Sequence, residues 1–503
     1  MAYRDLREYV DLLDRDGQLL HLHGAHWEEE VGAISYLSPK AVLIDNIPGY
    51  PTGHRILANI LGRDLRQFFL ATNWSTESRG IALTREWKEH LRSFSPTPSI
   101  EVNEGPILEN VLTGEDVDLL KFPVPKWHEE DGGRYIGTMD MVITQDPETG
   151  RLNCGSYRMQ VHDRATLGIH ISEGKDGYLI REKYLAQEKP CPIVAVFAVD
   201  PAQLLASGGH ITHVDIASEL SFSGWLKGVP EEVVRGPVTG LPIPARAEIA
   251  VEGEIVPGDE MMEGPFGEAS GYSEPRMLPV VRVKAVYHRD NPMLTGRMPI
   301  YHPPGKTASG QDVNSAATVW DQLERAGVRE IKGVACYFDV HIIVIAIRNS
   351  YAGHSRQAGI IASQCHRGAY LGNWVIVVDE DIDPSNLTEV MWRVSTATDG
   401  SRAIQILDYC WASHLSLLDP TRAFTRAEYP VHPHKATYRS AVVVDACRPV
   451  ELDRRWHRMV KPSDSLIRRV NEKYGQAMFP EGEKPGPYVT TALFVPGEGD
   501  TAV

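Results

Sequence analysis

The stretch Glu263-Gly264-Pro265-Phe266-Gly267-Glu268-Ala269-Ser270-Gly271-Tyr272 constrains this chain more than any other. Proline cannot stand in a helix interior, and glycine admits backbone that other residues resist. The Gly-Pro-Phe-Gly between the two carboxylates therefore predicts a tight turn or loop. The spacing places Glu263 and Glu268 on neither one helix face nor one strand face. Strand-like runs bracket the loop: Arg246 to Val256, closed by Pro257-Gly258, and Pro279 to His288. Catalytic groups often sit on loops held by a rigid scaffold, so this is a candidate active-site element. The plain alternative is a solvated acidic loop, against which Phe266 and the glycines weigh.

A chain of 503 residues can bury a sizeable core and predicts two to four domains. A net charge of -16 supplies no basic footprint and argues against nucleic acid as a partner. The first residues carry Arg4, Asp5, Arg7, Glu8 and Asp11, which a signal peptide's apolar core excludes. No long uncharged apolar window suggests a membrane span. Six scattered cysteines without a C-x-x-C pair predict reduced thiols and a cytoplasmic protein.

Taken in order, residues 6–16 predict an amphipathic helix stopped at Gly17, within a mixed α/β segment reaching about residue 120. Lys121 to Pro125, followed by Glu129-Glu130-Asp131-Gly132-Gly133, predicts a first domain boundary from its prolines, charges and paired glycines. Strand signals then dominate to about 300. Met139 to Gln145 and Arg151 to Val161 flank a hairpin turn at Asp146-Pro147-Glu148-Thr149-Gly150. Pro192 to Asp200 predicts a buried strand, and the frequent short strands predict a barrel or sandwich. Pro299 to Gly305 marks a second boundary. Beyond it, helices at 312–326, 355–365 and 386–395 alternate with strands at 341–348 and 374–379, which predicts a layered α/β domain. A last helix covers 465–474.

Several constellations carry little. Gly305-Lys306-Thr307 resembles the end of a phosphate-binding loop, but Ile300 stands where that motif needs glycine. His210-Ile211-Thr212-His213 has a metal-like spacing, yet Gly208-Gly209 opposes a helix there and a zinc site needs three or four ligands. Asn153-Cys154-Gly155-Ser156-Tyr157-Arg158 says more. In a regular strand Asn153 and Arg158 face opposite sides, and Gly155 predicts a bulge that could bring them together. A buried Arg158 needs a carboxylate partner, which Glu263 or Glu268 would satisfy; an arginine on an exposed edge is the alternative.

Together these residues resemble the UbiD family of reversible decarboxylases over nearly the whole chain. Asn153 and Arg158 meet the family's Asn-x4-Arg pattern, and Glu263 to Glu268 meet E-G-P-F-G-E letter for letter. Glu219 precedes Ser223-Gly224 as the family's acid precedes a small-residue–glycine pair, and W-V-I-V-V-D-E-D-I-D at 374–383 is similar to its C-terminal domain.

The resemblance implies an α/β N-terminal part (1–122), a central split β-barrel binding prenylated FMN (123–305), and a C-terminal α/β domain (306–503) whose terminal helix serves dimerisation. It implies a modified flavin delivered by a separate flavin prenyltransferase, and a manganese or other divalent cation with potassium nearby. Asn153, Ser156, Tyr157, Arg158 and Glu219 would contact the cofactor, with Asn153 and Glu219 as metal ligands. One departure stands out: Gly174 occupies the place of the family's third ligand, a histidine, and Glu173 is the candidate substitute. Loss of CO2 from an unsaturated or aromatic carbon leaves a carbanion that no side chain can stabilise adequately, so the hard chemistry belongs to a cofactor. By resemblance, Arg158 and Glu263 form an orienting ion pair and Glu268 is the general acid, its pKa raised by desolvation while Glu263 stays ionised. His302 and Lys306 would face the substrate, an aromatic, heteroaromatic or α,β-unsaturated acid. Two rival readings remain: a flavin-binding subunit inactive without a partner, and a metal hydrolase built on the histidines.

Overall fold

Apolar residues recurring at three and four form the first helix, α1 (Leu6–Arg15), with Asp5 as its N-cap accepting from the Glu8 amide at 3.0 Å. In this computed structural model Gly17 follows at φ 68°, the left-handed stop that the sequence predicts. The structure describes residues 3–61, 65–209, 218–299, 309–411, 413, 438–452, 460 and 462–479. The chain divides into two units: Met1–Ser75, Arg92–Gly310 and Ala412–Tyr438 form the first, and Thr76–Leu91, Gln311–Trp411 and Arg439–Val503 the second.

In the first unit a small sheet orders the strands Leu19–His23, Ala41–Asp45, Arg55–Ala58 and Met293–Gly296. The large sheet has nine strands. Its members are β1 (Asn110–Thr113), β2 (Arg134–Gly137), β3 (Met141–Gln145), β4 (Leu152–Gly155), β5 (Arg158–Asp163), β6 (Thr166–His170), β7 (Cys191–Val196), β8 (Ile249–Glu263) and β9 (Arg276–His288). They run in the order β2-β5-β6-β9-β8-β7-β3-β4, with β1 added on β9, and every pairing is antiparallel. The run Pro192–Asp200 lacks polar alternation because both faces of β7 and its continuation are covered. Ile193, Ala195 and Phe197 enter one apolar cluster, Val194 and Val196 the other. Each of these valine, isoleucine and phenylalanine side chains contributes about 1.5–3 kcal/mol of burial.

Two strand predictions need correction. Pro257 and Gly258 do not close the strand before the acidic loop; β8 continues to Glu263, with its pairing register shifting between Ile255 and Glu260. A bulge tolerates the missing proline N–H, and Gly258 takes φ 73°. Conversely, Arg151 to Val161 is not one strand. It breaks at Ser156-Tyr157, because Asp140 Oδ1 accepts from both the Ser156 hydroxyl and the Tyr157 amide, each at 3.0 Å. Asn153 and Arg158 therefore lie on different strands, β4 and β5.

The second unit is layered α/β. A five-stranded sheet orders Ile331–Tyr337, Ile342–Ile347, Trp374–Asp379, Tyr438–Asp445 and Ile404–Trp411, with the second, third and fourth mutually parallel as neighbours. Helices Gly310–Arg325, His354–Gln364 and Leu387–Ala397 fall where the sequence places them, within two or three residues. All six cysteines are free thiols. Among the described residues no helix is long and apolar enough to cross a membrane.

Candidate active site

Arg158 opens β5 and Glu263 ends β8, three places away in the sheet order. Strands spaced about 4.8 Å apart would hold them some 14 Å distant in a flat sheet. Instead, Arg158 Nε donates to Glu263 Oε1 and Nη2 to Glu263 Oε2, both at 2.8 Å, so the sheet curls into a half-barrel and closes on this pair. Arg158 Nη1 donates to Glu268 Oε1 at 2.6 Å. The three side chains are 7%, 2% and 14% exposed for Arg158, Glu263 and Glu268, so only Glu268 keeps appreciable access to a ligand. Among the described residues three of the five Arg158 guanidinium N–H groups have a side-chain partner.

The loop between the carboxylates is held on every side. Gly264 N donates to Gln160 Oε1 at 3.1 Å, and Gln160 lies two residues beyond Arg158 on the same strand face. Gly132 N and the Tyr135 hydroxyl both donate to the Pro265 carbonyl, at 2.7 and 3.3 Å. Gly267 N donates to Asp131 Oδ1 at 2.8 Å. Phe266 is buried, its ring 4.2 Å from that of Tyr135, with the Arg158 guanidinium 4.9 Å above it. A cation over an aromatic face adds roughly 0.5–2 kcal/mol and fixes the guanidinium plane. Gly132 approaches so closely that a Cβ there would stand 2.0 Å from the Gly264 carbonyl oxygen.

Burial raises Glu268 above the ordinary carboxyl range, against the opposing pull of Arg158 and Arg297. Burial alone would lower Arg158, but Glu263 and then Glu268 outweigh it and hold the guanidinium above its usual value. Arg276 stands opposite Glu263 in the strand ladder, and its side chain makes no ion pair or hydrogen bond among the described residues. Burial, and then the charge of Arg158, lower its pKa.

Asn153, Ser156, Tyr157 and Glu219 gather on the other side of the Ser156-Tyr157 link. Asn153 Nδ2 donates to Thr144 Oγ1 and the Tyr157 hydroxyl, at 3.5 and 3.4 Å, which leaves its Oδ1 as an acceptor. Tyr157 OH also accepts from Gly177 N at 3.2 Å, its ring lodged against Gly155 and Gly177 where Cβ atoms would collide with it. Glu219, first residue of the helix Glu219–Lys227, accepts from the Cys154 amide at 2.9 Å, and burial raises its pKa. Glu173 sits in the turn before the helix Asp176–Leu185 and, after burial and Glu182, helps raise the Tyr178 phenol. Gly174 beside it adopts φ 80°, a conformation that disfavours any side chain. Among the described residues no three His, Cys, Asp or Glu side chains converge.

His302 and Lys306, the candidate substrate contacts, lie outside the described residues, as do His210 and His213 and most of the second boundary. Conversely, sequence reasoning missed His128, Asp131, Tyr135, Asp140 and Gln160. The stretch 121–133, which reads as a turn-rich boundary, has Phe122, Val124 and Trp127 buried and supplies two of the loop's hydrogen bonds, through Gly132 and Asp131. Its detectable signal was a histidine and an aspartate three apart, with the aromatic residues Trp127 and Tyr135 close by in sequence.

The UbiD family model, described as the 3-octaprenyl-4-hydroxybenzoate carboxy-lyase Rift-related domain, matches residues 99–302, and the family's C-terminal domain model matches 311–446. A phenolic acid decarboxylase of Bacillus subtilis is 29% identical over 93% of this chain and 97% of its own length. Among solved structures, the vanillic acid decarboxylase ShVdcCD of Sedimentibacter hydroxybenzoicus in closed form superposes with a TM-score of 0.80 at 26% identity, covering 95% of this chain and 99% of the other. It has also been solved in an open form with a truncated ShVdcD (TM-score 0.73, 26% identity, 95% of this chain and 100% of the other). An evolved dimeric HmfF of Pelotomaculum thermopropionicum, in complex with prFMN, matches with a TM-score of 0.71 at 25% identity over 90% of this chain and 96% of its own.

Proposed function

Because this chain belongs to the UbiD family of carboxy-lyases, we propose that it removes CO2 reversibly from a phenolic or other aromatic acid with prenylated FMN as its cofactor. The observation that carries this reading is the Arg158–Glu263–Glu268 cluster: a buried bidentate ion pair beside an acid whose proton is held more tightly than usual. Heteroaromatic and α,β-unsaturated acids satisfy the same chemistry.

The bound flavin supplies the electron sink that the departing carboxylate requires. The chain's residues supply position, charge and a proton. The Arg158 guanidinium orients the reacting partners, and Glu263, bidentate on it, keeps that fork from rotating. Glu268 holds its proton at Oε1 or Oε2 until CO2 leaves, gives it to the substrate carbon, and in the reverse direction takes it back. Arg276 is placed to balance the negative charge of an incoming acid.

Asn153, Ser156, Tyr157 and Glu219 form the cofactor's second contact. A manganese or other divalent cation there would have Asn153 and Glu219 as side-chain donors, and Glu173 as a third only if that turn moves. Two donors do not complete a six-oxygen shell, so phosphate and water would supply the rest. Manganese, potassium, supply by a flavin prenyltransferase, a cytoplasmic location, the three-part division at 122 and 305, substrate contacts from His302 and Lys306, and a homodimer through the terminal helix enter this reading through the family resemblance.

The test is purification from cells with and without flavin prenyltransferase, followed by CO2 release and deuterium uptake over a panel of phenolic acids including vanillate. Turnover only with the prenylated cofactor supports the reading; a flavin-free protein inert on the whole panel overturns it. A second reading, a flavin-binding subunit inactive alone, has one observation in its favour: the ShVdcCD structure that includes a ShVdcD component. Flavin retention without turnover by the pure chain, restored by a co-expressed partner, would favour it.

A further inference from the structure

His128 and Asp131 stand directly beneath the acid-bearing loop, and nothing in the reaction described so far uses them. Asp131 is buried and both its oxygens are engaged: Oδ1 accepts from Gly267 N at 2.8 Å, Oδ2 from His128 N at 3.0 Å. The imidazole faces acceptors at both ends. Nε2 lies 2.8 Å from the Pro299 carbonyl oxygen, and Nδ1 lies 3.1 Å from Asp131 Oδ2. A carbonyl oxygen and a carboxylate can only accept, so each ring nitrogen must carry a proton, and only imidazolium does so. Gly267 lies flat on this ring; a Cβ there would stand 2.5 Å from Nδ1. The next residue is Glu268.

We propose that His128 and Asp131 are a positioning pair for Glu268: an imidazolium–carboxylate pair whose shared proton fixes the Gly267 amide and so the place of the acid that follows. This rests on the reading of Glu268 as the proton donor. Burial would lower the histidine's pKa, but the Asp131 hydrogen bond, the Pro299 carbonyl, and the charges of Asp131 and Glu268 raise it overall. The groups facing the ring are Asp131 on its own turn, Glu268 from the loop, and Tyr272, whose ring lies 5.9 Å away edge-on. Arg297 acts on Glu268 from the segment leading to Pro299. The exposed Glu129 and Glu130 share the histidine's turn. As pH rises past the point where His128 loses its proton, the ring keeps a single N–H, so a lone pair meets either the Pro299 carbonyl or the Asp131 carboxylate, and the support beneath Gly267 loosens.

The test needs no cofactor for its first readout. In the full chain with ring-labelled histidines, the His128 resonance is identified by its loss in His128→Gln and followed with pH. It is expected to titrate above 6.5, the ordinary histidine value, and to move down by half a unit or more in both Asp131→Asn and Glu268→Gln. Titration at or below 6.5, or no movement in either variant, overturns the proposal. In the cofactor-loaded enzyme, His128→Gln should lower kcat tenfold or more, leave KM and flavin content within about threefold, and remove one step from the alkaline limb of the kcat profile. A loss uniform across pH, in step with melting temperature and flavin content, would reduce the pair to scaffolding and overturn it equally. Should the wild-type chain release no CO2 from any acid while the resonance still responds to Glu268→Gln, the decarboxylase reading fails and the pairing stands.

Discussion

The two ends of the Asn153–Arg158 segment are built on opposite terms. At one end Arg158, Glu263 and Glu268 answer one another's charge within 2.8 Å, and their loop is pinned by Gln160, Asp131 and the Gly132–Pro265 contact. At the other end Asn153 and Glu219 offer oxygens that no third His, Cys, Asp or Glu side chain joins among the described residues. The first centre is complete before any ligand arrives, so little reorganisation is left for the reaction itself. Asp140 stands between the two ends, fastening the link that turns one strand into the next.

The largest effect should come from Arg158→Ala. It leaves Glu263 and Glu268 buried without their cation, which should cost about 3–5 kcal/mol of stability, and turnover should be lost with it. A variant that melts and turns over like wild type would show the first centre is not self-contained. Glu268→Gln should lower kcat by roughly 10^2–10^4-fold, with flavin still bound. Because burial raises this acid, its protonated form persists to higher pH than an ordinary glutamate's, and kcat should fall as pH rises through its pKa. The glutamine variant should lack that limb, and a retained limb would assign it elsewhere.

Asp140 sharpens the comparison through stability. It is fully buried, its Oδ2 has no hydrogen-bond partner among the described residues, and burial pushes its pKa from 3.8 to about 7. The folded state therefore binds the proton more tightly than the unfolded one. This stabilisation is fully present below about pH 4 and lost as pH rises to 7, on the order of 4 kcal/mol in all. Relative to wild type, Asp140→Asn should gain in melting temperature between pH 4 and 8; a difference flat with pH would contradict it. The smallest effect belongs to the open end. Asn153→Ala should lower flavin and metal retention by roughly 10- to 100-fold without unfolding the chain. Unchanged content of both would remove Asn153 from the ligand set.

Much of this was legible in the sequence. The Gly-Pro-Phe-Gly turn, the hairpin at 146–150 and the helices of the second unit follow from local backbone preferences, which neighbours in sequence suffice to express. Pro257-Gly258 misled because proline ends strands in general, whereas here β8 absorbs it as a bulge and continues to Glu263. The break at Ser156-Tyr157 was invisible, since its cause is an aspartate on another strand. His128 and Asp131 read as part of a boundary because charges beside paired glycines usually are solvated.

By itself the sequence determined the chemical inventory: two carboxylates on a loop that cannot be helix, an arginine needing a counter-charge, and a family whose reaction requires a borrowed electron sink. Only the tertiary structure decided which groups meet. Curling of the sheet brings Glu263 to Arg158 across three strand spacings, and burial then sets which acid holds its proton. Both depend on distance and solvent exclusion, and these are properties of the packed chain that no order of residues states.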